Sequence, residues 1–208
     1  MAGYNRLVCP TEFDNVPHRP ARKPPAAMKI VVLTGPESSG KSALAHALHA
    51  RFGGVIVGEY VRHFIDTHNR DTCYADIPAI ARGQLAWEDA ARAKRPALLL
   101  LDTHLLSNLL WSRTLFGDCP AWIEAALLER HYDLHLLLSP EGVPWQGDGQ
   151  RCQPQLADRQ AFFRQARDWL EAHGKPTKIL HGDWACRGTS AIEAVHALLA
   201  PSTPSVHF

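Results

Sequence analysis

The chain has 208 residues, 46% of them hydrophobic, which suffices for one full-sized core and argues against a second catalytic domain. A formal net charge of +1 excludes a global pull toward nucleic acid or an anionic membrane, so any anion recognition must be local. Five cysteines, an odd number with no C-x-x-C spacing, speak against a disulfide framework or structural zinc, and no apolar run is long enough to cross a bilayer, so a cytoplasmic protein is expected.

Residues 1–27 interleave Pro10, Pro17, Pro20, Pro24 and Pro25 with Arg19, Arg22 and Lys23, which predicts a basic, flexible leader outside the domain. The domain is expected over 28–200, with a short Pro-containing tail over 201–208. A first strand is predicted at 29–34, then a helix from Lys41 closed by the Gly53-Gly54 turn, and a second strand at 55–57. A long helix is expected from Ile77 to Arg95. The third strand, 97–101, is apolar throughout, as a parallel strand covered on both faces should be. Helices at about 104–116 and 120–130, a fourth strand at 134–138, a helix at about 157–173, a fifth strand at 177–180 and a last helix complete the pattern. Ser190 and Glu193 have the spacing of a capping box for that last helix. Alternating strands and helices predict an α/β fold with a five-stranded parallel sheet between two helical layers.

Between the first strand and its helix lies Gly35-Pro36-Glu37-Ser38-Ser39-Gly40-Lys41-Ser42, the spacing G-x-x-x-x-G-K-S. A loop of this kind turns its backbone N–H groups around phosphates and feeds them to a helix N-terminus. Gly35, Glu37, Ser38, Ser39, Gly40, Lys41, Ser42 and Ala43 are therefore the candidate nucleotide-binding residues. Lys41 would reach the β- and γ-phosphates of ATP, and the Ser42 hydroxyl would hold Mg²⁺.

The remaining candidates follow from where ligands sit in open α/β sheets, outside the carboxyl ends of the strands. Asp102 ends the third strand, which favours a carboxylate on Mg²⁺; it could also cap the next helix. Glu59 ends the second strand and could take a proton from an attacking hydroxyl, or act as a first-turn acid on the helix that follows. Arg62 could hold Glu59 or the acceptor. After the fourth strand, Pro144-Trp145-Gln146-Gly147-Asp148-Gly149-Gln150-Arg151 is too polar and Gly-rich for core and reads as a mobile lid. Arg151 is the first candidate for stabilising charge on a transferring phosphoryl group, with Arg159 and Arg164 in reserve. No adenine contact is diagnostic, although the segment from Gly182 to Arg187 should neighbour the phosphate loop.

Together the phosphate loop, Glu59-Tyr60-x-Arg62, Leu101-Asp102-Thr103 and Asp148-Gly149-x-Arg151 resemble the ribosylnicotinamide kinase domain of NadR-type proteins, within the P-loop NTPase superfamily, over about residues 28–199. The resemblance implies transfer of the ATP γ-phosphate to the 5′-hydroxyl of nicotinamide riboside, giving nicotinamide mononucleotide. Two departures stand out. The adenylyltransferase signature H-x-G-H that usually accompanies this domain is absent, and His104 occupies a position where the family often has a second acid. A cationic pyridinium would favour an aromatic face, for which Tyr60, Trp87 and Trp145 are candidates. Three readings stay open: this kinase, a kinase of another nucleoside or nucleotide, and a non-catalytic ATP-binding regulatory module. The expected partner is a small molecule rather than nucleic acid or membrane, and the oligomeric state is undetermined.

Overall fold

A computed structural model describes residues 27–200, so the reading of the leader and of residues 201–208 falls outside the described residues, save for Ala27. Five strands, β1 (Lys29–Thr34), β2 (Val55–Val57), β3 (Leu98–Asp102), β4 (Leu134–Leu138) and β5 (Thr177–Leu180), form one sheet in the order β2-β3-β1-β4-β5. All four pairings are parallel. Each crossover is helical: α1 (Lys41–Phe52) follows β1, α2 (Tyr60–His68) and α3 (Ile77–Ala93) follow β2, α4 (Leu105–Phe116) and α5 (Ala121–Glu129) follow β3, and α6 (Leu156–Ala172) follows β4. The last helix, α7, spans Trp184–Leu199.

The apolar strands bury both faces because successive side chains point opposite ways. Ile30, Val32, Leu99, Leu101 and Leu137 join a core completed by residues of α3, α4, α5 and α6. Their alternates Val31, Leu33, Leu98, Leu100, Leu136 and Leu138 pack with Leu44, Leu48, Ala191 and Val195 of α1 and α7. Burying one such leucine stabilises the fold by roughly 1.5–3 kcal/mol, so β3 alone, with four leucines between 0 and 2% exposed, strongly fixes the sheet centre. The expected three-layer α/β fold is the one observed.

Two boundary expectations are corrected. The last helix begins at Trp184, where the Gly182 turn (φ 81°) brings Asp183 to the N-cap and its Oδ1 accepts the Cys186 amide at 2.8 Å. Ser190 and Glu193 lie in its interior and cap nothing. Asp102 belongs to β3 itself, and His104 rather than Asp102 is the N-cap of α4.

Candidate active site

The strand order puts every loop of interest at one edge. The register pairs Leu33 with Asp102, and the Thr103 amide donates to the Leu33 carbonyl at 3.0 Å, so the end of β3 lies against the start of the phosphate loop. Glu59 follows β2 on the far side of β3, and the 139–155 loop follows β4 on the other side of β1.

Within the phosphate loop, Gly35 adopts φ 137° and passes so close to β4 that a Cβ there would sit 2.6 Å from the Leu138 carbonyl oxygen. Only glycine permits that approach. Lys41 is nearly buried, and its Nζ donates to the carbonyls of Gly35 and Pro36 at 3.1 and 3.0 Å. The Ser39 hydroxyl braces the same turn through the Pro36 carbonyl. At the N-terminus of α1 no side chain caps the helix and its first turn holds no acid, leaving the amides around Ser42 and Ala43 for an anion.

Asp102 is 6% exposed and its Oδ1 has no hydrogen-bond partner. Burial first, then the Glu59 charge, push its pKa up, while Lys41, the nearby Ser42 hydroxyl and Arg62 oppose the rise. A buried carboxylate oxygen without a partner beside a serine hydroxyl suits a hard cation such as Mg²⁺. Among the described residues no group of three or more His, Cys, Asp or Glu could hold a metal unaided, so further oxygen ligands would have to come from phosphate or water. Next in the chain, Thr103 holds φ 76°, an outlier for a β-branched residue that costs on the order of 1–3 kcal/mol.

Glu59 is the N-cap of α2 but makes no cap bond; its Oε2 accepts Arg62 Nε at 2.7 Å instead. Gln84 of α3, 2% exposed, fixes the turn that carries Glu59 by accepting the Tyr60 amide at 2.9 Å and donating to the Gly58 carbonyl at 3.1 Å.

The Gly-rich loop after β4 is irregular, as expected, but it is docked rather than free. Glu37 accepts Trp145 Nε1 at 2.6 Å and the Gln153 amide at 2.7 Å on Oε1, and the Cys152 amide at 3.1 Å on Oε2. Ser38 exchanges two further bonds with the backbone of Gln146. Glu37 and Trp145 therefore join the two loops to each other, a function different from the nucleotide and acceptor contacts expected of them. Arg151 is held by Asp148 Oδ2 at 3.2 Å and by the Gln146 carbonyl.

These parts enclose a cavity of about 210 Å³. The phosphate loop forms one wall, Glu59, Val61, Arg62 and Ile65 a second, and Gln150, Arg151 and Cys152 a cover. Ile77, Ile80 and Gln84 of α3 face Ser107, Asn108, Trp111 and Leu115 of α4 across its depth. Asn108 Oδ1 there is buried without a partner. Trp111 is thus the aromatic residue at the cavity. Tyr60 and Trp87 pack edge to face at 4.9 Å, with His63 beside both, and none of the three lines it. Asn108-x-x-Trp111-x-x-x-Leu115 forms one helical stripe soon after Asp102, and none of these residues was expected at the site.

Of the reserve arginines, Arg159 is 4% exposed and donates to the Val143 carbonyl, and Arg164 lies on the exposed face of α6. Neither lines the cavity. Arg187, which carried no expected role of its own, is 1% exposed and donates to the carbonyls of Gly182, Ser139 and Glu141, tying the ends of β4 and β5 together. A second hollow of about 260 Å³ lies behind the phosphate loop between Val143, Pro144 and half-exposed Trp184, whose ring approaches Gly40. His104, the N-cap of α4, and His135 of β4 are buried with their rings 5.3 Å apart and line neither hollow.

A family described as an AAA domain matches residues 30–187. The chain belongs to that family. Beyond it, this AAA domain is 26% identical over 185 residues to the trifunctional NAD biosynthesis/regulator protein NadR of Escherichia coli, covering 86% of the chain and 45% of NadR. The match to the Salmonella typhimurium protein of the same name is 29% over 147 residues, covering 69% and 36%. A crystal structure of NadR in complex with NR superposes with a TM-score of 0.68 at 20% identity, over 88% of this chain and 54% of that one. The resemblance to NadR-type proteins is therefore borne out, and the chain spans about half the length, or less, of the NadR proteins it matches.

Proposed function

We propose that this AAA domain is an ATP- and Mg²⁺-dependent kinase that phosphorylates the 5′-hydroxyl of nicotinamide riboside. The observation that carries the kinase reading is the convergence of Lys41, Ser42, Glu59 and Arg151 on one cavity, with buried Asp102 close to Glu59, Lys41 and Ser42. Lys41 would exchange its loop carbonyls for β- and γ-phosphate oxygens, and the free amides of the first turn of α1 would take the rest of the phosphate chain. Ser42 and Asp102 would hold Mg²⁺, which would supply charge neutralisation to the phosphate chain. Glu59 accepts the proton of the acceptor hydroxyl as its oxygen bonds to the γ-phosphorus; the bond to the bridging oxygen breaks and ADP leaves. Arg151 offsets charge on the phosphoryl oxygens in flight.

The acceptor would enter between α3 and α4. Trp111 offers a flat face for a pyridinium ring and Asn108 an amide for a carboxamide, in a pocket otherwise lined by Ile65, Ile77, Ile80 and Leu115. The hollow beside Trp184 is the proposed seat of the nucleotide base, because it opens onto the other side of Ser39 and Gly40. A cytoplasmic setting suits both small molecules.

Phosphorylation of another nucleoside remains the second reading, since a strand-end carboxylate serves any sugar hydroxyl and a solved deoxyadenosine kinase from M. mycoides shares the fold with a TM-score of 0.57 at 11% identity. Glu59→Gln separates the kinase from a regulatory module: ATP binding should be retained and phosphorylation reduced by about 10²-fold or more. Unchanged turnover in that variant would remove Glu59 from the chemistry.

A further inference from the structure

Four charged side chains run in unbroken contact from the acceptor side of the cavity to its cover. Glu59 Oε2 accepts Arg62 Nε at 2.7 Å, Arg62 Nη1 donates to Asp148 Oδ2 at 2.8 Å, and the same Oδ2 lies 3.2 Å from Arg151 Nε. One carboxylate oxygen thus accepts a hydrogen bond from Arg62 and lies within ion-pair distance of Arg151, whose Nε has no hydrogen-bond partner. The other oxygen, Oδ1, accepts the amides of Gln150 and Arg151, both at 3.1 Å, which folds the loop around the carboxylate. A second tie joins the same two elements, from Gln150 Nε2 to Asp66 Oδ1 at 2.7 Å, one helical turn beyond Arg62 on α2.

We propose that Asp148 is a positioning residue which, through Arg62, registers the lid arginine Arg151 to the acceptor carboxylate Glu59, so that charge stabilisation over the phosphate loop is set by the state of the acceptor side. The inference rests on the kinase reading for its consequence in turnover, but the linkage itself is independent of it.

Energy alone does not explain the arrangement. Arg62 and Asp148 keep 37% and 29% of their side-chain surface exposed, and ion pairs of that exposure add little to stability. What the chain of contacts provides is geometry. Among the described residues Arg151 has no carboxylate partner other than Asp148, and a misplaced transition-state donor is expected to cost about 10²-fold in rate. Arg62 stays charged throughout: burial works against its proton, but the bonds to Glu59 and Asp148 outweigh burial and raise its pKa.

The test compares the wild-type protein with Arg62→Gln, Asp148→Asn, Asp148→Glu and the double variant Arg62→Gln/Asp148→Asn. With the acceptor that the wild type uses, kcat should fall about 10–100-fold in each neutral variant, with KM for ATP moving less than about threefold, and the double variant should be no worse than the poorer single one. Asp148→Glu should recover part of the loss. Multiplying losses in the double variant, or an unchanged kcat in Asp148→Asn, would overturn the proposal. Limited trypsin digestion supplies a readout that needs no substrate: cleavage after Arg151, identified by mass, should accelerate in both neutral variants at an unchanged thermal midpoint. Equal cleavage in all of them would show that the linkage does not hold the lid. A wild type that phosphorylates no nucleoside, yet shows the cleavage difference, would remove the kinase reading and leave the linkage standing.

Discussion

The Glu37 carboxylate and the Trp145 indole meet at 2.6 Å, and this contact makes the phosphate loop and the loop after β4 one structural unit. The third residue of the phosphate loop is thereby committed to protein contacts. A carboxylate at that position would repel phosphate if it pointed inward, and three N–H donors instead turn it toward the Trp145–Gln153 segment.

Glu37→Ala should therefore loosen the cover without unfolding the sheet. The expected stability loss is about 1–3 kcal/mol, the cost of leaving buried donors unpaired. Hydrogen exchange at the Cys152 and Gln153 amides should rise sharply, while amides of β1 and β3 stay protected. Unchanged exchange at 152 and 153 would contradict the latch.

Asp102→Asn is expected to separate stability from activity. Because burial and Glu59 raise the folded-state pKa of Asp102, its ionised form is disfavoured in the fold, and its contribution to stability falls as pH rises from the ordinary carboxylate value through the raised one. At neutral pH the neutral variant should thus melt at the same temperature or higher. Turnover should drop by at least about 10²-fold, and the gain in thermal midpoint that Mg²⁺ with nucleotide gives the wild type should shrink. A clear loss of stability in the variant alone would argue for a structural role.

The fold was legible because its signals were long and redundant. Leu98–Leu101 and Ile30–Leu33 can only be central parallel strands, and the phosphate-loop spacing fixes the strand and helix around it. That Lys41, Ser42, Glu59 and Arg151 lie beyond the carboxyl ends of strands, with Asp102 the last residue of β3, was legible for the same reason. The aromatic lining was not. Tyr60, Trp87 and Trp145 are used against one another or against Glu37, and Trp111 sits in a helix whose leucines mask its cavity-facing stripe. Side-chain partners across 108 residues of chain, such as Glu37 with Trp145, leave no local trace in sequence.

Trp184→Ala should weaken ATP binding by about fivefold to tenfold, in line with roughly 1 kcal/mol or somewhat more for an aromatic stack, and leave acceptor KM unchanged. Titration with a non-hydrolysable ATP analogue reads this directly. Equal affinity in wild type and variant would move the base away from that hollow.

His135 gives the fold an acid-sensitive point. Burial lowers its pKa to about 4, with the Pro176 carbonyl opposing and Lys175 assisting. The unfolded chain takes up that proton near pH 6.5, so the contribution of His135 to stability should be level above that pH and fall between there and pH 4, by at most about 1.4 kcal/mol per pH unit. Urea midpoints across pH 7.5 to 5 should show a shallower decline in His135→Gln than in the wild type. Parallel declines would show that His135 is not the titrating group.

The central claim is acceptor-dependent phosphoryl transfer, and ATP consumption with Mg²⁺ and a panel of nicotinamide riboside, purine and pyrimidine nucleosides and their monophosphates tests it most directly, with Lys41→Ala as control. Turnover with nicotinamide riboside should lie well above that with every other acceptor and give a product heavier by one phosphate, and Lys41→Ala should show none. Turnover with another nucleoside alone would contradict the acceptor assignment, and ATP binding with no acceptor-dependent turnover would contradict the kinase itself.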